Sequence, residues 1–286
     1  MAPPAARKAT DTAHATLERH ALAVMRIAAA VTLKHPTAPA SGIRAALWGP
    51  DAIYDQAAQD AVAYVDSIAV LARRPRVPAP KPSVTARATI APRLIDRLAA
   101  AAAAARAANR NFARSLGIET TSPDARQHLA QLMAVQASRV AHDAAVGAWR
   151  EAATAHMVAL PDVIGWRRVA EPTACGACLA LMDGSIHPAS EQMVIHTRDR
   201  CLAEPVVHGV NDRSWSHPTG EELFHEMADA AQNRVFAGRG GAAKAQLLRD
   251  GDINFSDLAQ VVTERLGHTP IALSETPLAD LQAPDA

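Results

Sequence analysis

Large aromatic side chains are scarce in this chain of 286 residues, which has four tryptophans, two tyrosines and four phenylalanines. The apolar fraction is 49%, near the average for globular proteins. Much of that fraction is alanine, which buries little surface when it packs. The composition therefore disfavours a domain with a thick aromatic core and predicts long, thin helices that share modest cores.

Three other protein classes lack support in the composition. Three cysteines do not make a disulfide framework, so we expect synthesis inside the cell. Basic and acidic residues number 29 each, which argues against a basic footprint over the whole chain but leaves a local basic face open. The opening MAPPAARKAT has no apolar secretory core, and arginine or histidine interrupts the alanine-rich stretches. We therefore expect neither a secretory signal nor a membrane span.

The first 157 residues show helical periodicity. Apolar residues recur at spacings of three and four, and prolines or glycines mark the ends of each stretch. Gly117 is a helix stop, and Ser122 opens the next helix. We expect these helices to form antiparallel pairs or a bundle. The predicted spans are about 10–34, 41–71, 91–116 and 122–156.

The sequence pattern changes after residue 157, and the new pattern predicts a small α+β module. Short strands are expected at 163–169 and 205–210, and Thr219 with Glu222 forms a capping box that opens a helix to about Phe236. The expected fold class is mainly α, an N-terminal long-helix bundle followed by a small α+β module with a Cys/His knuckle. The predicted parts are 1–157, 158–237, and 238–286 as a flexible joint with short helices and a disordered tail.

All three cysteines lie within a window of 27 residues that also contains a suitable histidine. Cys175 and Cys178 are three apart, a spacing that brings two sulfurs to one ion through a tight turn. Zinc prefers four such ligands in a tetrahedron, and three cysteines with one histidine satisfy it. The predicted structural zinc ligands are Cys175, Cys178, His196 and Cys201.

Other interpretations of this cluster stay open. The cysteines can be small buried apolar residues, form a disulfide, or serve redox chemistry. His187 is a spare ligand, although its place before Pro188 favours a turn. An enzymatic zinc needs an open position and a base, and His225-Glu226 lacks the second histidine of a metalloprotease, since Asp229 stands there. We therefore assign no catalytic residue and consider an enzyme the less favoured class.

Two further functions have weaker support. Serines and histidines are frequent between Ser185 and His217, but there is no Gly-x-Ser-x-Gly elbow. Arginines flank the cysteine module and could contact the phosphates of DNA. The plainer interpretation is that they are solvated charges on loops. These arginines are Arg167, Arg168, Arg198, Arg200 and Arg213.

The order of these residues resembles the Mu F-like minor head proteins of tailed bacteriophages. The resemblance rests on Trp166-Arg-Arg-Val, then Cys175-x2-Cys178-Leu179, then Asp183-Gly184, then His196, and Cys201 before Pro205. It covers about 40 to 50 residues. The first half of the chain resembles the family only in its helical character. One departure is that Thr197, not proline, follows His196, and that a single cysteine closes the motif.

The resemblance implies a virion component that is made in the host cytoplasm and resides in the phage head interior or at the portal vertex. Its implied partners are the portal protein and the major capsid or scaffold protein, with DNA as a further candidate. Its implied role is head assembly and DNA packaging or ejection. Because some lineages place a capsid maturation protease at this gene position, the alternative function is that protease.

Overall fold

The structure is a computed structural model, and it describes residues 2–34, 53–71, 84–170, 174–191, 193, 201–212, 215, 217–236 and 241–259, without the side chains of 84–95. Several sequence predictions lie outside these residues. They are the loop after residue 34, the part of the second expected helix at 41–52, the linker at 73–82, the joint at 238–240 and the C-terminal tail beyond 259.

Among the residues that the structure describes, the N-terminal part contains four long helices, as the periodicity predicts. They are α1 (Pro4–Lys34), α2 (Ile53–Leu71), α3 (Val84–Leu116) and α4 (Pro123–Ala159). α1 begins earlier than expected, because a proline in the first helical turn loses no hydrogen bond. α3 also begins earlier, since 84–91 contains neither glycine nor proline to stop it. Gly117 ends α3 with a φ of 64°, as expected for a left-handed stop.

The chain divides into two compact units that are discontinuous in sequence. The first unit lies within Met1–His14, Tyr64–Pro78 and Ala153–Ala286. The second unit lies within Ala15–Ala63 and Ala79–Ala152.

The second unit is a helical bundle whose core is rich in alanine. α3 and α4 run antiparallel, because Phe112 stacks on His128 with ring centroids 3.9 Å apart, and Arg97 Nη2 lies 2.8 Å from the Asp143 carboxylate. Ser138 Oγ on α4 donates to the Met25 carbonyl on α1 at 3.0 Å. Small buried side chains let these helices approach closely, so a few polar bonds fix their register.

The first unit contains a three-stranded antiparallel sheet with the order β2-β1-β3. The strands are β1 (Val163–Val169), β2 (His187–Pro188) and β3 (Leu202–Val207). β3 starts and ends three residues before the expected 205–210. Its end is set by Asn211, whose side chain accepts from Val207 N at 2.6 Å and donates to Pro205 O at 2.9 Å.

Short helices complete this module. They are α5 (Gly176–Ala180), α6 (Gly220–Glu226), α7 (Asp229–Val235) and α8 (Gly241–Asp250). The capping box of Thr219 and Glu222 is confirmed. The single helix expected from there to Phe236 is instead two, because the backbone is extended at Met227. The Phe224 carbonyl at this break accepts from Met227 N at 3.1 Å and from the Gln232 side chain at 2.8 Å.

The module has an apolar core that contains three of the four phenylalanines of the chain. The Phe224 ring lies 6.0 Å from Phe236 and 5.5 Å from Phe255. Residues on both sides of the predicted boundary at 237/238 share this core. Its members are Ala174, Cys178, Leu179, Ala180, Cys201, Phe224, Phe236, Ala245, Leu248, Phe255 and Leu258.

Gly220, the first residue of α6, packs directly on the backbone of α5. A Cβ at Gly220 would lie 1.9 Å from the Leu179 carbonyl oxygen. We expect Gly220→Ala to lower the free energy of unfolding by about 1–3 kcal/mol in urea titrations, because rigid backbone must shift. The control is Gly147→Ala on α4, where no atom lies within 4 Å, and which we expect to raise stability by roughly 0.5–1 kcal/mol. Equal changes in the free energy of unfolding for the two variants would contradict the close packing of Gly220 on α5.

Tyr54 and Tyr64 are the two tyrosines of the chain, and each is buried in a different unit. Burial raises the pKa of Tyr54, and the Arg97 guanidinium partly opposes this. Burial also raises the pKa of Tyr64, and the Glu204 carboxylate raises it further.

Because the folded pKa values lie above the unfolded value of about 10, stability is retained below that pH and falls above it. We expect tyrosinate absorbance at 295 nm to rise only as helical circular dichroism is lost. Tyr54→Phe and Tyr64→Phe would assign the signal to each unit. Ionisation near pH 10 with full helicity would contradict the burial of both rings.

Candidate metal centre

The Cys-x2-Cys pair is positioned by the short helix α5. Cys175 is the residue that precedes the helix, with an extended backbone at φ −82° and ψ 168°, and Leu179 N donates to its carbonyl at 3.0 Å. Cys178 lies one turn later and is buried. A turn of helix thus brings both side chains to one side, as the spacing predicts.

The two sulfur atoms are 3.9 Å apart. A disulfide requires roughly 2.05 Å, so no disulfide joins this pair in the structure. Two sulfurs that are each about 2.3 Å from a tetrahedral zinc are roughly 3.8 Å apart. The spacing therefore fits two ligands of one zinc ion, and it also fits a weak thiol hydrogen bond.

Cys201 belongs to the same apolar core as Cys178, and Cys175 packs against that core. Cys201 is fully buried immediately before β3. Within the described ranges, which include all three cysteines, no group of three side chains able to hold a metal ion is found, so the structure does not bring Cys201 to the Cys175–Cys178 pair as a third ligand. His196 lies outside the described residues, so the complete set of Cys175, Cys178, His196 and Cys201 stays a prediction.

The spare ligand His187 has a different environment from the one expected. It lies in β2 rather than in a turn, with its ring stacked on Trp166 at 4.3 Å between centroids. Its Nδ1 is 3.0 Å from the Glu191 carboxylate, and Trp166 Nε1 donates to the Glu191 carbonyl. These contacts give His187 a role in holding the β2 edge.

The arginines considered for phosphate contacts require a correction. Arg167 and Arg168 are both buried in β1, so neither is a solvated loop charge nor a surface for DNA. Arg167 donates to three carbonyls, those of Asn211, Asp212 and Trp215, at 2.8–2.9 Å. Its planar fork thus ties the loop after β3 to the sheet. The remaining three arginines, Arg198, Arg200 and Arg213, lie outside the described residues.

A buried contact between a carboxylate and an imidazole was missed by the sequence analysis. Glu204 is fully buried in β3, and its two carboxylate oxygens lie 2.9 and 2.8 Å from His217 Nε2. The signal was an acidic residue inside the apolar strand LAEPVV. Its partner is 13 residues away across a loop, which no local pattern reveals.

The serines and histidines between 185 and 217 do not form a nucleophile–base pair in the part of the chain that the structure describes. Ser185 Oγ donates to Asp183, and His187, His208 and His217 each lie against a carboxylate. Ser214 and Ser216 lie outside the described residues. The protease alternative thus gains no geometric support from the described side chains.

Comparison with known proteins returns no family model, no curated protein and no solved structure that matches this chain. Among the described helices, none combines the length and apolar character needed to cross a bilayer. The site is therefore interpreted from its own geometry and from the resemblance of its motif.

If zinc occupies this centre, protein purified under reducing conditions should carry about one zinc per chain. We expect Cys175→Ser to lose the metal and to lower the melting temperature by roughly 5–10 °C, because metal binding stabilises only the folded state.

A zinc chelator should lower the melting temperature of the natural chain but leave Cys175→Ser unchanged, which separates lost metal from lost packing. Metal-free protein whose stability Cys175→Ser does not alter would disprove the structural zinc.

Proposed function

We propose that this chain is a minor head protein of a tailed bacteriophage that acts at the portal vertex. Its role would be in head assembly and in DNA packaging or ejection. The observation that carries the proposal is the Cys175–Cys178 pair, with sulfurs 3.9 Å apart at the edge of the core of a small α+β module that follows long helices. The same order of parts characterises the family that the motif resembles.

A non-enzymatic role agrees with the chemistry of the module. Two of its buried charged side chains are used internally, because Arg167 binds loop carbonyls and Glu204 contacts His217. Four protein ligands would fill the coordination shell of a zinc ion and leave no open position for a substrate. The module is therefore suited to present a rigid surface to the portal protein and to the capsid or scaffold protein.

The direct test is to delete the gene from the phage that carries it and to analyse purified heads by quantitative mass spectrometry. We expect a few copies of the chain in each natural head, and heads with reduced DNA content after deletion. Complementation with Cys175→Ser should restore fewer copies than complementation with the control Gly147→Ala. This difference arises because a loosened module would present its partner surface poorly.

Two results would contradict the proposal. One is the absence of the chain from purified natural heads. The other is an uncleaved major capsid protein in heads without the chain, which would assign it to head maturation proteolysis instead.

A further inference from the structure

Three exposed arginines form a row along α3 in the helical unit. Arg106, Arg110 and Arg114 are four residues apart, so they occupy successive turns on one side, with a rise of about 6 Å between neighbours. In the described part of the chain, no ion pair joins any of the three to a carboxylate. The three residues are called the arginine row below.

Neither α3 around the arginine row nor the facing stretch of α4 carries an acidic residue. No aspartate or glutamate occurs within 97–118 or within 125–142. These two stretches lie side by side, since Phe112 stacks on His128. A local basic face thus exists on a chain whose formal net charge is zero.

This pattern differs from an ordinary solvated helix face. Solvated helices commonly alternate charge at spacings of four, because opposite charges attract there and like charges repel. The arginine row places like charges at that spacing without a compensating carboxylate. Such an arrangement indicates an anionic partner that supplies the missing counter-charge.

We propose that the arginine row binds the phosphate backbone of duplex DNA. Guanidinium groups match phosphate oxygens in a two-bond geometry, and duplex DNA presents one negative charge per roughly 1.7 Å of its axis. Ala103 and Ala107 lie on the same side of α3 as the row, and their small side chains allow a phosphate backbone close approach.

Duplex DNA fits this surface better than single-stranded nucleic acid does. Single strands are bound by aromatic side chains that stack on bases. Phe112 is the one aromatic residue of α3, and its ring is stacked on His128 and only partly exposed. Contacts from the row are therefore to the backbone and independent of base sequence.

The inference does not rest on the proposed function, because it uses other residues in the other compact unit. It also places the DNA contact on α3 instead of on the cysteine module, since Arg167 and Arg168 of that module are buried. A chain without zinc could still bind DNA through α3.

The test measures binding of the full chain to a 30-base-pair duplex of mixed sequence by fluorescence anisotropy. Three phosphate contacts predict affinity that falls about 40-fold as salt rises from about 50 to 200 mM. The variant Arg106→Gln, Arg110→Gln, Arg114→Gln should bind at least about tenfold more weakly at the lower salt and lose most of the salt dependence.

The control variant is Arg7→Gln, Arg19→Gln, Arg234→Gln, which removes the same charge from three scattered exposed arginines. We expect it to bind like the natural chain. Arg110→Gln alone should lower the slope of log affinity against log salt by about 1, and it keeps the test valid if the triple variant fails to fold.

Three outcomes would overturn the proposal. The first is that the natural chain does not bind the duplex. The second is that both triple variants lose the same amount of DNA affinity. The third is that poly-glutamate competes for the chain as well as DNA does at matched charge. The last outcome would indicate an acidic protein surface as the partner instead of DNA.

Discussion

The pair of sulfur atoms at Cys175 and Cys178 is the constraint on which our interpretation of the C-terminal module depends. The pair is fixed by a helix of five residues, and that helix packs under Gly220 with no room for a side chain. Small cores seldom suffice alone, and compact modules often add a metal or a disulfide. In a chain with few aromatics, a zinc ion at this point would add to the stability that packing provides.

Buried polar side chains hold the sheet of the module and its loops, in addition to the apolar core. Asn211 bonds to the backbone of β3 as a neighbouring strand would, and Pro205 removes one donor from that edge. Arg167 ties the loop after β3 to β1, and the His217 side chain contacts the Glu204 carboxylate in β3. These bonds each satisfy a group that would destabilise the fold if buried alone.

Local signals made the helices and the cysteine pair predictable, whereas tertiary contacts set the features that sequence analysis missed. Periodicity and the Gly117 stop depend on neighbouring residues alone, and so does the Cys-x2-Cys spacing. The end of β3 depends on the Asn211 side chain, and the break before α7 depends on Gln232. The burial of Arg167 likewise requires a loop more than 40 residues away. No local pattern contains such information.

The most direct test of the zinc centre is X-ray absorption at the zinc edge of chain purified under reducing conditions. We expect a shell of three sulfurs at about 2.3 Å and one nitrogen at about 2.0 Å. That shell would show the three cysteines and one histidine gathered around a single ion. A shell of oxygen and nitrogen alone, or no zinc signal, would contradict the zinc centre, and the module would then be stabilised by packing and buried polar bonds only.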